Sequence, residues 1–197
     1  APSIVRPIQS YLGIFPSIQY FNAWKNKGVG MPTRTNEMYW HMDHHGHKFI
    51  KAFYYLNAVR IGFGHHEYIT STHYQPEFDL ELNSLPELKH LRNCIDLKRK
   101  KRGGYHIEDD SINPLLDRRL SLWGNAGLGF MEDTRGLHRG TVMPPGAYRI
   151  MLECLYIPFS NGKDKSSGEK PEPSQIECLK KEYNYSDIEI EKLFQLI

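Results

Sequence analysis

Apolar residues in this chain gather in short runs separated by Gly, Pro and Asn rather than in long helical stripes. From Glu37 to Thr72 the pattern is β-like. Phe49, Phe53, Tyr54, Tyr55 and Leu56 form an aromatic-rich run bounded by turn residues, and Tyr68, Ile69 and Thr70 make another short strand. Further strands are predicted at 120–123, 127–131 and 147–157. At the start, Ile8, Tyr11, Leu12 and Ile14 read as a short amphipathic helix, followed by a leading strand with Tyr20, Phe21 and Trp24. Residues 80–91 read as a polar loop with a short helix broken at Pro86. Many short strands with Gly and Pro turns predict a mostly β sandwich or barrel with flanking helices.

After Pro158 the pattern changes. Residues 159–173 are polar, small and Pro-containing, and read as a loop or linker. Ser174 with Glu177, and Ser186 with Glu189, fit the capping box, so two short helices are expected over 174–197. The second carries Ile188, Ile190, Leu193, Phe194 and Ile197, an apolar stripe that must pack on the body or on a partner. The expected division is a body of 1–158, a loop of 159–173 and helices over 174–197.

Composition narrows the function classes. The 197 residues are 40% hydrophobic, enough for one domain with a core. A net charge of +2 argues neither for nor against an anionic partner. Cys94, Cys154 and Cys178 are odd in number and scattered, which is no disulfide framework; a reducing compartment, the cytoplasm, is the default. No apolar run approaches the roughly 18 residues of a membrane span. The first ten residues lack the layout of a signal peptide, and without an initiator Met the chain reads as processed or trimmed. The basic run 97–104 (LKRKKRGG) is followed by Glu108, Asp109 and Asp110, and reads as a solvated loop. Neither nucleic acid nor membrane is therefore expected as a partner. The minority alternative for this run is attraction of an anionic substrate such as a phosphate or CoA thioester.

Ten histidines, several of them clustered, are the informative oddity. Trp40-His41-Met42-Asp43 places an imidazole and a carboxylate two residues apart, hence on one face if the segment is a strand. One more His completes a facial triad, the ligand set of non-haem Fe(II) oxygenases, with positions left open for a chelating cosubstrate and O2. Several histidines are candidates, and His138 is foremost, lying between the turn residues Thr134-Arg135-Gly136 and Gly140. Arg149 follows inside the apolar run of Tyr148, Ile150, Met151 and Leu152. A buried guanidinium needs an anion. The free carboxylate of 2-oxoglutarate suits it, with two parallel hydrogen bonds. Glu153, on the same strand face, is the alternative partner.

WHMD, then KFIKAFYYLNAV, GFGHHEYITSTH and NAGLGFMEDTRGLHRGTVMPPGAYR together resemble the phytanoyl-CoA dioxygenase-like family of Fe(II)/2-oxoglutarate oxygenases, over roughly residues 38–157. The resemblance implies a double-stranded β-helix, a jelly-roll, cupin-like core with the metal at its mouth. It implies His41, Asp43 and His138 as metal ligands and Arg149 as the residue holding the distal carboxylate. It puts Phe53 beside the cosubstrate, and Lys51 shares Phe53's strand parity. The activity implied is hydroxylation of a small organic metabolite with Fe(II), 2-oxoglutarate and O2, releasing succinate and CO2. An acid at position 43 points away from halogenation, because related halogenases carry a small residue there. The sequence departs from the family in three places. Ser71-Thr72-His73 stands for the usual Pro-Gly-Ser-His, Gly64-His65-His66 for Gly-Pro, and Gly140 for a hydroxyl-bearing residue, with Thr141 one place late.

The remaining candidates have plainer readings. His44, His45 and His47 are loop histidines near the pocket mouth, and His65, His66 and His73 solvated or turn residues. Tyr39, Trp40 and Trp123 are core aromatics. Asp133 and Thr134 form a turn that positions His138, and Cys154 is a buried strand residue. Two alternatives to the oxygenase stand: a cupin-like metalloenzyme that does not use 2-oxoglutarate, and a non-catalytic jelly-roll binding module. Substrate and oligomeric state are not readable.

Overall fold

The computed structural model describes residues 2–29, 36–73, 75–100 and 106–158, with scattered positions thereafter. Apart from those scattered positions, the expected linker at 159–173 and helices at 174–197 lie outside the described residues, as do residues 101–104 of the basic run. The elements in order are α1 (Pro2–Leu12), β1 (Pro16–Lys27), a 3-10 turn (Asn36–Met38), β2 (Ile50–Tyr55), β3 (His66–Ile69), α2 (Gln75–Ser84), a 3-10 turn (Pro86–Leu88), α3 (Lys89–Lys100), a longer 3-10 segment (Asp109–Arg118), β4 (Arg119–Leu122), β5 (Gly129–Glu132), β6 (His138–Gly140) and β7 (Tyr148–Pro158). One sheet has the strand order β1-β7-β2-β5 and the other β4-β3-β6. β3 pairs antiparallel with both neighbours, setting His66 opposite Gly140 and Leu122, and Tyr68 opposite His138 and Leu120. Among the described residues, no helix is long and apolar enough to cross a membrane.

The chain clusters into two compact units, residues 1–22, 45–52 and 154–197, and residues 23–44 and 53–153. In the first, α1 buries Val5, Ile8 and Leu12, whose spacing of three and four puts them on one helical face. In the second, two clusters lie in the interior among the described residues. Phe78, Leu82, Leu88, Leu91 and Ile95, from the helical segments, pack with Trp40, Met42, Ile69, Ile107, Ile112, Leu115 and Leu137. Phe53, Tyr55, Val59 and Met151 make the other, with Trp24 and Phe130 against it.

Residues 80–91, expected as a loop with one short helix, are the end of α2, a 3-10 turn and the start of α3. In α2 the deeply buried apolar side chains are Phe78 and Leu82, one turn apart, so the period is weak and tertiary packing supplies the helix. Pro86 opens the 3-10 turn, where its missing N–H costs nothing. The basic run is also less of a loop than expected, since α3 continues through Lys100.

Within the second unit, Tyr55 of β2 bonds to β4 and β3 of the other sheet. Its hydroxyl donates to Leu122 O at 2.7 Å and accepts the His66 N–H at 2.9 Å. Burial pushes its pKa up to about 12, so it stays a neutral donor. On the opposite side of β3, buried Glu67 takes Arg139 at 2.8 Å, Arg119 at 3.5 Å and His65 at 3.4 Å, and Arg139 also bonds Asp109. Burial raises the Glu67 pKa, but the His65 hydrogen bond and the two guanidinium groups outweigh it and hold it at about 2. Trp123, expected in the core, is 52% exposed, because it follows β4, the sheet's edge strand.

Candidate metal centre

His41 and His138 form an isolated antiparallel bridge, each donating its backbone N–H to the other's carbonyl at 3.0 Å. Directly opposed residues of an antiparallel pair project to the same face. The two imidazoles accordingly lie with ring centroids 4.1 Å apart. Asp43 is not in a strand, contrary to expectation. Its N–H bonds Thr134 O at 2.7 Å, which holds it against the loop leading to His138. His41, Asp43 and His138 nevertheless come together, each offering one ligand-capable atom, all within 4.8 Å of one another. Asp43 Oδ2 is 3.6 Å from His138 Nε2.

Each imidazole is oriented from behind. His41 Nδ1 is 2.8 Å from Tyr39 O, and His138 Nδ1 is 2.9 Å from Gly136 O. A carbonyl oxygen only accepts, so each Nδ1 carries a proton and Nε2 is the nitrogen turned towards the other ligands. Ring-nitrogen donation to a backbone carbonyl is the support that metal-bound histidines ordinarily have. Burial, then the neighbouring His41, lowers the His138 pKa to about 4, so at neutral pH its lone pair is available. Two imidazoles and a carboxylate fit a divalent first-row metal.

The loop before His138 is clamped. Tyr68 Oη donates to Asp133 O at 3.0 Å, and Thr72 Oγ1 accepts the Leu137 N–H at 2.8 Å. Gly136 has no room for a side chain, since a Cβ would lie 2.2 Å from Tyr68 Oη. Asp133 caps Arg135, and the Gly136 N–H returns to Asp133 O, so the expected turn at Asp133 and Thr134 is present. Ser71 has a left-handed backbone (φ 64°), a conformation that ordinarily favours glycine.

Arg149 alternates inward on β7 with Met151 and Glu153 and is 5% exposed. Its guanidinium lies over Gly140, two residues along the same face of β6 from His138, about 7 Å by strand rise. Nη1 donates to Gly64 O at 2.6 Å, while Nη2 and Nε donate to Asn26 Oδ1 at 3.0 and 3.3 Å. These acceptors are neutral, and Glu153, the alternative partner, is not among them. Burial lowers the Arg149 pKa from its ordinary value, but a guanidinium remains charged. Three of its five N–H groups are used, leaving one on each terminal nitrogen.

Phe53, also buried, has its ring centroid 5.4 Å from His66 and 5.3 Å from Phe130. It reaches the triad through His66, whose ring is 5.7 Å from that of His138. His66 and His65 were expected in a turn or in solvent, but both are buried at the start of β3. His66 Nε2 is 2.8 Å from Glu132 Oε1, at ion-pair distance but without hydrogen-bond alignment. Burial, then the charges of Arg149 and His41, hold the His66 pKa well below its usual value. His65 Nδ1 accepts the Gly62 N–H and lies 2.9 Å from Thr141 Oγ1. His44, His45 and His47 are exposed, as expected of loop histidines. Tyr39 is half-buried and stacks on His106 rather than entering the core. Cys154 lies on β7 but is only half-buried. Lys51 is buried on β2.

No family model and no curated protein matches the chain. Solved structures do. HygX from Streptomyces hygroscopicus with iron bound aligns at TM-score 0.52 and 13% identity, over 86% of this chain and 70% of that one. HygX with nickel and 2-oxoglutarate bound aligns at TM-score 0.50 and 11% identity, over 86% and 69%. The non-heme alpha ketoglutarate dependent epimerase SnoN from nogalamycin biosynthesis aligns at TM-score 0.53 and 14% identity, over 87% of this chain but 64% of its own length. At such identities the likeness shows the fold alone: antiparallel sheets with helices, arranged as in HygX and SnoN.

Proposed function

We propose that this chain is an Fe(II)- and 2-oxoglutarate-dependent dioxygenase that hydroxylates a small organic metabolite. The carrying observation is the joint placement of the triad and Arg149. His41, Asp43 and His138 converge within 4.8 Å, and over the same face of β6 a buried guanidinium has only neutral hydrogen-bond acceptors among the described residues. A metal ion at one end and a cation at the other suit a 2-oxo diacid, and the solved structures of like fold include one with 2-oxoglutarate bound. We place the two sheets as a double-stranded β-helix, with the His41–His138 bridge extending the β4-β3-β6 sheet by a fourth segment.

His41 Nε2, His138 Nε2 and a carboxylate oxygen of Asp43 would hold the ferrous ion. Bound iron would supply the chelation of the 2-oxo acid and the activation of O2, the oxidising power that side chains lack. The protein's part is positional. Tyr39 O and Gly136 O fix the imidazole tautomers. Arg149 gives its two remaining N–H groups to the distal carboxylate, a bidentate arrangement that sets orientation as well as affinity. Phe53, Phe130 and His66 pack ring against ring next to His138 and give this side of the site an apolar surface. No general base is needed at this site, and none is assigned.

Succinate release during a metabolite-library screen tests the proposal. Wild type is expected to release succinate with its substrate, and Arg149→Ala to lose the turnover that 2-oxoglutarate supports. Turnover that needs no 2-oxoglutarate would favour a different cupin-like metalloenzyme. Absence of iron binding and of succinate under every substrate would favour a binding module.

A further inference from the structure

Asn26 lies on β1, far in sequence from every residue discussed as a ligand, and its side-chain oxygen is at the centre of a small network. Trp24 Nε1 donates to Asn26 Oδ1 at 2.8 Å. Arg149 Nη2 and Nε donate to the same atom at 3.0 and 3.3 Å. An amide oxygen aimed at a guanidinium by an indole N–H is an acceptor without charge. A carboxylate in this place would make a bidentate ion pair with Arg149 and use up its charge. Gly64 O, on the other terminal nitrogen, is likewise neutral. Gly140 closes the arrangement by having no side chain where the guanidinium lies.

We infer that Asn26, steadied by Trp24, is a positioning residue that holds Arg149 by its Nε–Nη2 side without neutralising it, and so reserves the remaining N–H groups and the full positive charge for an anionic carboxylate. It rests on the function proposed above and goes further, in assigning selectivity for a dicarboxylate over a monocarboxylate 2-oxo acid to a residue that touches neither metal nor diacid. The physical reason is desolvation. Arg149 is already buried, so an incoming carboxylate gains its attraction without having to displace a resident anion.

The test is anaerobic titration of the Fe(II)-loaded protein with 2-oxoglutarate and, separately, with pyruvate, which keeps the chelating 2-oxo acid but lacks the distal carboxylate. The readout is the visible charge-transfer absorption of the chelate. Asn26→Asp is expected to weaken 2-oxoglutarate binding about a hundredfold while leaving pyruvate binding as in wild type. Asn26→Ala, which loses the anchor but adds no charge, is expected to weaken 2-oxoglutarate about tenfold. It serves also if the aspartate variant folds poorly. Trp24→Phe should give a smaller loss of the same selectivity. Unchanged 2-oxoglutarate affinity in Asn26→Asp overturns the inference, and so does equal weakening for both acids, which marks a general disturbance. If wild type shows no absorption with either acid, the proposed function itself fails; that outcome is distinct from a wild type that binds and a variant that binds equally well.

Discussion

Gly140→Ala isolates the geometry of the carboxylate end. Gly140 sits in β6 with ordinary strand torsions, so alanine brings no backbone strain, only a methyl group. That methyl would lie 2.8 Å from Arg149 Nη1, 2.9 Å from Nη2 and 3.2 Å from Cζ. Comfortable contact for such atoms begins at about 3.5 Å, so the guanidinium must retreat by about 0.6–0.7 Å. It cannot do so freely, because Asn26 Oδ1 and Gly64 O hold it on different nitrogens at 3.0 and 2.6 Å. Lengthening one hydrogen bond to a charged group loses about 1.5–3 kcal/mol. If that loss appears in the complex, 2-oxoglutarate affinity falls roughly tenfold to a hundredfold. The assay is calorimetric titration of 2-oxoglutarate into the metal-loaded protein, with metal affinity measured in parallel. Metal affinity should hold, since His138 points from the other end of the strand. A Gly140→Ala protein that binds 2-oxoglutarate as tightly as wild type would refute the reasoning. Gly140→Ser should be no better than alanine, although members of the resembled family often carry a hydroxyl there.

Two further predictions concern the frame. Tyr55→Phe removes the hydroxyl that receives the His66 N–H and donates to Leu122 O, leaving a buried donor and acceptor; chemical denaturation should show a loss of about 2–4 kcal/mol. Glu67 has a folded-state pKa of about 2 against an ordinary 4.5, so its stabilisation is complete above about 4.5 and disappears as the pH falls towards 2. Glu67→Gln should be less stable at neutral pH and should flatten the stability–pH curve between those values, measured by denaturant unfolding across acid pH.

The chemistry of this chain is written in local spacing, and its support is written across distance. His41-x-Asp43 could be read because an imidazole and a carboxylate so close in sequence make a compact ligand pair, although the contact with Thr134 O rather than a strand places Asp43, and Arg149 because a cation inside an apolar strand demands an explanation. Asn26 could not be read. It meets Arg149 across 123 residues, and nothing in PSIQYFNAWKNK distinguishes a buried amide acceptor from a surface asparagine. His66 was misread for a local reason: Gly62, Gly64 and two adjacent histidines look like a turn, whereas β3 is a four-residue strand buried on both faces. Its partners Glu132, Phe130 and His138 come from later strands. α2 escaped because two buried side chains one turn apart make too weak a period to announce a helix, and Trp123 because sequence does not say which strand is at the edge of a sheet.

The central claim is that His41, Asp43 and His138 together bind a metal ion. Anaerobic equilibrium dialysis against Fe(II), followed by metal analysis, addresses it without any knowledge of the substrate. Wild type and Arg149→Ala should each retain a single iron per chain, and His138→Ala should retain none at the same free concentration. A wild type that retains no iron, or a His138→Ala protein that retains as much as wild type, would contradict the account.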